Sequence, residues 1–255
     1  MARVVREMSK AQIDRLGDRL RKGNISDDDL RLLDAYRRSF SEAYEIVIET
    51  IRKDLTLEPT GRPAKSTTSI SDKLRRESIR LTQIQDIAGC RLIASDIANQ
   101  DSVVQSLNSL FEDATIVDRR KKPSHGYRAV HVIVNSRGKM IEIQVRTALQ
   151  HLWAELSEKF SDIGDSAIKY GGGDAIVQKA LMNSSPTIAY VESLEVKVAD
   201  AHMKSSQNKF TNEKKKQLAE VQEGLNLLRD EMHKYFSDEI KNLEKIKRGK
   251  DDLSD

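Results

Sequence analysis

Several things are scarce or missing in this chain of 255 residues, and each shortage narrows what it can be. There is one cysteine, Cys90, inside an apolar run, so no disulfide can form within the chain and a reducing interior is the compatible setting. No apolar stretch approaches the ~20 residues that span a bilayer. The first residues carry no secretory h-region. The expectation is therefore a cytoplasmic protein with no membrane partner. The P-loop pattern Gly-x-x-x-x-Gly-Lys-Ser/Thr is missing, as is a kinase glycine-rich loop, and no Cys/His spacing suits zinc. Aromatics make up only 5% while charged residues reach 33%, which favours helices around a modest core. A net charge of +3 fits phosphate-bearing ligands without demanding nucleic acid.

What is present has a clear order. Ile13, Leu16 and Leu20 recur at helical spacing before Gly23, predicting a helix over 8–22. Ser26 followed by three aspartates is an N-cap signal for a helix over 27–55, with Leu30, Leu33, Tyr36, Phe40, Tyr44, Val47, Ile48 and Ile51 facing inward. Pro59-Thr-Gly-Arg-Pro63 is an irregular connection, and a further helix is expected over 67–81. Then come a buried strand at Ile87–Ala94, a helix at 101–111, a strand at Ala114–Arg119, a hairpin, and a helix at 148–160 whose Trp153 and Leu156 can pack on the sheet. Lys169–Asp174 is a flexible break. Beyond 176 only helices are expected, with a coiled-coil-like seam of Leu218, Val221, Leu225, Leu228, Met232 and Tyr235. This predicts an α+β protein in three parts: a helical region 1–58, a core 59–175 with a mixed β-sheet, and a helical extension 176–255.

The hairpin at 126–147 is the most informative stretch. Val130, Val132 and Val134 alternate with Tyr127, Ala129 and His131; Ile141, Ile143 and Val145 alternate with Glu142, Gln144 and Arg146. A two-residue loop at Ser136–Arg137 would set Tyr127 opposite Arg146, Ala129 opposite Gln144 and His131 opposite Glu142. One face would then carry an aromatic ring, an imidazole, a carboxylate and a guanidinium, a set suited to a nucleotide. Each of these residues also has a plain structural use as a packing aromatic, a core histidine or an ion pair along a strand.

Three clusters lie outside the hairpin. Ser69, Lys73 and Arg76 share one helix face, with Arg62 and Lys65 just before it, and cations at a helix start can cradle polyphosphate. A Lys/Arg face on a helix is also commonly just solvated. Asp86 opens the Asp-Ile-Ala-Gly-Cys-Arg-Leu-Ile run and either caps a turn or, with Glu142, supplies two hard anionic ligands for Mg²⁺. Asp118–His125 is a basic loop that attracts phosphate without sequence preference.

Four ordered motifs across residues 61–160 resemble the synthetase domain of the RelA/SpoT alarmone family: Gly-Arg-Pro-Ala-Lys-Ser-Thr-Thr-Ser-Ile-Ser-Asp-Lys-Leu, Gln-Asp-Ile-Ala-Gly-Cys-Arg-Leu-Ile, His-Gly-Tyr-Arg-Ala-Val-His with Glu-Ile-Gln-Val-Arg-Thr, and Leu-Trp-Ala-Glu-Leu-Ser-Glu-Lys. In particular, the chain resembles the family's small, single-domain synthetases. The resemblance implies a nucleotidyltransferase-like core that moves the β,γ-pyrophosphate of ATP to the 3′-hydroxyl of GDP or GTP, making (p)ppGpp and releasing AMP, with Mg²⁺ as cofactor. It implies that Arg62, Lys65, Ser69, Lys73 and Arg76 bind ATP, and that Asp86 and Glu142 hold the metal. Glu142 also activates the hydroxyl, while Lys122, Tyr127, His131, Gln144 and Arg146 bind the acceptor.

Three departures from the family pattern stand out. Arg62 lies one residue farther from Lys65 than the usual Arg-x-Lys. The Lys122–Tyr127 run is one residue longer than Lys-Pro-Asn-Gly-Tyr. Ser157-Glu158-Lys159 stands where many relatives have Glu-His-Lys. No histidine is followed by aspartate, which implies synthesis without the family's hydrolase activity. The motifs are also similar to toxic members of the family, some of which make adenosine alarmones or pyrophosphorylate the 3′ CCA end of tRNA; this alternative would add tRNA and a neutralising antitoxin as partners. A catalytically inactive RNA- or protein-binding module is the third alternative, and the C-terminal helices could close over the core, bind a partner or build a homo-oligomer.

Overall fold

The structure is a computed structural model that describes residues 8–207 and 210–251; the side chain of Arg62 lies outside the described residues. In chain order the elements are α1 (Lys10–Lys22), α2 (Asp27–Arg38), α3 (Ser41–Leu55), β1 (Thr60–Arg62), α4 (Thr67–Arg76), β2 (Ala88–Ala94), α5 (Ile97–Leu110), β3 (Thr115–Asp118), β4 (Val130–Ser136), β5 (Lys139–Thr147), α6 (Ala148–Ile163), α7 (Ala175–Ser206) and α8 (Asn212–Asp251). Single 3₁₀ turns occupy Leu81–Gln83 and Ile168–Tyr170. The fold is α+β, and its strands form one mixed sheet in the order β1-β2-β5-β4-β3. Two compact units divide the chain. The first holds the residues up to Leu92 together with Ser106–Ile116 and His131–Gln144; the second holds Ile93–Gln105, Val117–Val130 and the residues from Val145 onward.

In the first unit the cap signal at Ser26 is met, and Ser9 supplies a second one not expected from the sequence. Ser9 and Ser26 each close a capping box, and Gly23 ends α1 at φ +78°, a left-handed conformation that glycine adopts without steric cost. The helix expected over 27–55 is broken into α2 and α3. The Ser39 hydroxyl donates to the Tyr36 carbonyl at 2.6 Å, and its N–H is shared among the carbonyls of Ala35, Tyr36 and Arg37, which tightens the last turn and ends the helix. Phe40 then turns inward against Tyr36, edge to face at 5.3 Å. Leu30, expected inside, is 42% exposed.

Helix α4 also stops short of the expected 81. Glu77 is extended, and Leu81 is wholly buried in its 3₁₀ turn. The Arg21 guanidinium satisfies the freed carbonyls of Leu74, at 2.7 Å, and Ile79. This long-range tie, which α4's own sequence cannot reveal, fixes the helix that carries Ser69 and Lys73.

The core of the second unit is helical. Leu149, Leu152, Leu156, Leu181, Ile188 and Val191 pack with Leu225, Phe236, Ile240 and Leu243. Trp153 joins them, its indole N–H donating to the Leu181 carbonyl and the Ser184 hydroxyl, each at 3.0 Å, so it packs on α7 where the sequence suggested the sheet. The seam of α8 is offset from the expected one. Leu225 is buried and Leu218 and Met232 pack partly against the cluster, but Phe236, Ile240 and Leu243 continue it, leaving Val221, Leu228 and Tyr235 exposed. An apolar cavity of about 480 Å³ lies between α7 and α8, lined by Leu194, Val198, Leu218 and Leu225 among others. The stretch 169–174 is an ordered turn: Gly171 and Gly173 take positive φ, and Gln178 donates to the carbonyls of Ile168 and Gly172.

Candidate active site

The first unit gathers a dense charged cluster. The Lys65 N–H donates to the Ile87 carbonyl at 2.6 Å, docking the approach to α4 beside the start of β2. That contact lays Lys65 Nζ 2.5 Å from one Asp86 oxygen, while Lys73, two turns along the same segment, reaches the other at 2.8 Å. All three side chains are largely buried. Burial pushes the Asp86 carboxyl upward, but the two ammonium groups outweigh it and bring its pKa down to about 2. Lys73 answers in kind: burial lowers its pKa, yet Asp86 raises it further, assisted by Glu77 and Glu142. Ser66 caps α4 by accepting from the Ser69 N–H, and its hydroxyl also donates to the Ser69 hydroxyl at 2.8 Å. Arg76, at the far end of α4, pairs with Glu77 at 3.0 Å.

Glu142 lies in the same unit. One of its oxygens meets His131 Nδ1 at 2.9 Å, and the other accepts from the Gln144 amide at 2.7 Å. Burial raises this carboxyl, but His131 and Gln144 overcome both burial and the nearby charge of Asp86, so its pKa ends below the ordinary value. The backbone of β2 passes close by: a Cβ on Gly89 would sit 2.6 Å from the Glu142 carbonyl oxygen, so only glycine fits there. Cys90, on the same strand, is buried with its thiol pushed up to about 12, which removes thiolate chemistry from consideration.

The hairpin turn differs from the expected one. Arg137 (φ +48°) and Gly138 (φ +73°) form the two-residue loop, both left-handed as a type I′ turn requires. Ser136 and Lys139 flank it, so each expected partner moves along by two residues and every side chain keeps its face. His131 comes opposite Gln144, and Glu142 becomes its diagonal neighbour, still within reach for the contact described.

In the second unit Tyr127 stands outside β4, in a turn closed by two hydrogen bonds with Ser124. The expected strand position is therefore corrected, but the expected partner is met. Arg146 Nη2 donates to the Tyr127 hydroxyl at 2.9 Å, and the guanidinium lies 5.0 Å from the ring centre. Gly126 (φ +86°) lets this turn pass against Trp153, whose ring carbon a Cβ would approach to 2.7 Å. Of the basic loop, Arg120 folds back onto Asp118 and Asp101, at 3.0 and 2.7 Å, while Lys121 and Lys122 are exposed.

A buried polar network in this unit was not expected from the sequence. Gln100, Thr147, Gln150 and Glu192 join three segments far apart along the chain. Only the Thr147–Gln150 spacing, a capping box at the start of α6, gave any sign of it.

As to chemistry, two ionised carboxylates with oxygen donors are the ligand type a hard divalent cation takes, and Asp86 and Glu142 feel one another's charge. Among the described residues there is no group of three or more His, Cys, Asp or Glu side chains that could close a protein-only cage. Such a pair suits Mg²⁺ shared with a polyphosphate. Among the described residues no helix is long and apolar enough to cross a membrane.

Residues 61–161 match the family model described as the region found in RelA / SpoT proteins. An uncharacterized protein of Mycobacterium tuberculosis is 39% identical over 111 residues, 42% of this chain and 41% of that protein. A guanosine-3′,5′-bis(diphosphate) 3′-pyrophosphohydrolase of Aquifex aeolicus is 30% identical over 142 residues, 52% of this chain and 19% of its own length. The chain thus spans about two fifths or less of these curated relatives. Among solved structures, the small alarmone synthetase 1 of Bacillus subtilis is similar at a TM-score of 0.52 and 25% identity, over 70% of this chain and 100% of that one. The same protein bound to its product pppGpp gives 0.52 and 24%, over 69% and 98%.

Proposed function

From the premise that residues 61–161 belong to the RelA/SpoT family, we propose that the protein is an ATP-dependent pyrophosphokinase acting on the 3′-hydroxyl of GDP or GTP. The observation that carries this reading is the Lys65–Asp86–Lys73 cluster in one unit with Glu142, His131 and Gln144. An arriving triphosphate competes with Asp86 for the two lysines. Lys65, Lys73 and the Ser69 hydroxyl then hold the phosphates at the start of α4, assisted by Arg62 and Arg76, and Asp86 is left free to take a metal ligand's role. Asp86 and Glu142 would hold Mg²⁺, which when bound neutralises charge on the transferring phosphates.

Tyr127 offers its ring to the guanine, Arg146 sets the ring, and His131, Gln144 and Lys122 take the acceptor's polar groups. Glu142, ionised at neutral pH, accepts the proton of the 3′-hydroxyl. The oxygen of that hydroxyl forms a bond to the β-phosphorus, and the bond from the β-phosphorus to the α–β bridging oxygen breaks. AMP leaves with that electron pair. Alignment and charge stabilisation supply most of the rate in such transfers.

A second reading, with the 3′ end of tRNA as acceptor, is favoured by one observation: Lys122 is exposed, and Lys121, 84% exposed, reaches Asp118 only at 4.0 Å, so both side chains face solvent as contacts for a longer polyanion would. Incubation with β/γ-labelled ATP and either GDP, GTP, ATP or deacylated tRNA tests both. Labelled guanosine product supports the first reading, labelled tRNA supports the second, and no product with any acceptor defeats the enzymatic assignment.

A further inference from the structure

Arg146 is the residue that aims the Tyr127 ring, and the residues on either side of it in β5 are pinned by one buried network. Before it, the Val145 carbonyl accepts from the Gln100 amide at 2.8 Å. After it, the Thr147 hydroxyl donates to Glu192 Oε1 at 2.7 Å while accepting the Gln150 N–H that starts α6. Gln150 joins the two sides. Its amide nitrogen donates to the same Glu192 oxygen at 2.8 Å, and its amide oxygen accepts from Gln100 at 2.9 Å. Arg120 closes the far end by donating to the Gln100 oxygen at 3.0 Å.

Glu192 lies in the middle of α7, 3% exposed, and receives both hydrogen bonds on one oxygen; its other oxygen is buried and has no hydrogen-bond partner. A buried carboxylate used this sparingly is expensive for helix packing alone. Burial pushes its carboxyl above the ordinary value, against the pull of Thr147, Gln150, Arg128 and Arg120. An apolar residue of similar size would fill the place at lower cost. What an apolar residue cannot do is hold Thr147 and Gln150 on a single point and so fix the strand end that carries Arg146.

We infer that Glu192 is a positioning residue for the acceptor: through Thr147 and Gln150 it sets Arg146 and hence the plane of Tyr127, so that α7 contributes to acceptor recognition without touching the nucleotide. This inference rests on Tyr127 being the acceptor's stacking partner. Steady-state kinetics of the full chain with ATP and GDP test it. Glu192→Ala should raise KM for GDP about tenfold and leave KM for ATP within twofold, while Glu192→Gln, which keeps an acceptor oxygen at the same point, should stay within about threefold of wild type on both. Equal rises for both substrates, or a Glu192→Gln variant as impaired as Glu192→Ala, would make the residue merely structural and overturn the inference. An unchanged KM for GDP in Glu192→Ala would overturn it too. Should Glu192→Ala not fold, Thr147→Val against Thr147→Ser reads the same link, the first expected to impair GDP use selectively and the second to preserve it. Wild-type protein that transfers to no acceptor defeats the functional reading and this inference together; an active wild type with indifferent variants defeats the inference alone.

Discussion

The cluster around Asp86 and the pair Tyr127–Arg146 are built from different materials. Around Asp86 the ordering force is charge: two ammonium groups on one carboxylate, with Glu142 and its histidine in the same unit. Around Tyr127 it is shape and hydrogen bonds from uncharged donors: a glycine turn against Trp153, and Thr147 and Gln150 converging on Glu192. Charged groups rearrange when a polyanion arrives, because the ligand replaces their partners. Packed amides do not, and they suit a ring that must present one plane to a base. The phosphate side should therefore be sensitive to charge removal and the aromatic side to loss of geometry.

The sharpest way to break the contrast is to neutralise a carboxylate. Asp86→Asn or Glu142→Gln should lower kcat at least a hundredfold while thermal melting shows a folded protein; general-base help alone accounts for ~10²–10⁴ in such sites. Near-wild-type turnover in either variant would remove the charged cluster from the chemistry. Next in size is Tyr127→Ala. With stacking worth ~1–3 kcal/mol per base, KM for the acceptor should rise about tenfold or more while KM for ATP barely moves, and a rise in KM for ATP instead would reverse the assignment of the two regions.

Acid should separate the two regions as well. The folded-state pKa of Asp86, about 2, lies below its unfolded value of 3.8, so its contribution to stability is complete above about pH 4 and is lost as pH falls toward 2. That contribution is about 2 kcal/mol. Denaturant melts between pH 5 and pH 2 should show the loss, and Asp86→Asn should flatten it. The smallest effect belongs to the hairpin turn. Arg137→Asn gives the first left-handed position a residue that tolerates it, and should raise stability by about 0.5 kcal/mol without altering kcat.

These regions were not equally legible in the sequence. The charged cluster could be read because its members sit in short motifs whose chemistry is local: Lys65 lies just before a helix start, Ser69 and Lys73 follow it, and Asp86 stands just before a strand. The polar face of the hairpin was legible from period-two alternation, although the turn lies one residue beyond the expected one, because Arg137 accepts a conformation usually left to Asn or Gly. The break at Ser39–Phe40 was hidden because a single hydroxyl ended a helix whose apolar period runs on undisturbed. The offset in α8 arose because Val221, Leu228 and Tyr235 fit a heptad as well as Phe236, Ile240 and Leu243 fit the actual packing. The Glu192 network was invisible for a different reason: its bonds join residues some 45 positions apart, and no local pattern distinguishes a buried glutamate on a long helix from a solvated one.

The sealed thiol of Cys90 has a practical use. Because the chain's one native sulfhydryl is buried and protonated at any working pH, a cysteine introduced on the surface would be the sole target for maleimide dyes. Two such handles, one on the loop bearing Lys122 and one on the outer face of α7, would allow distances to be followed by energy transfer during turnover, with no need to first strip the protein of its own reactive sulfur.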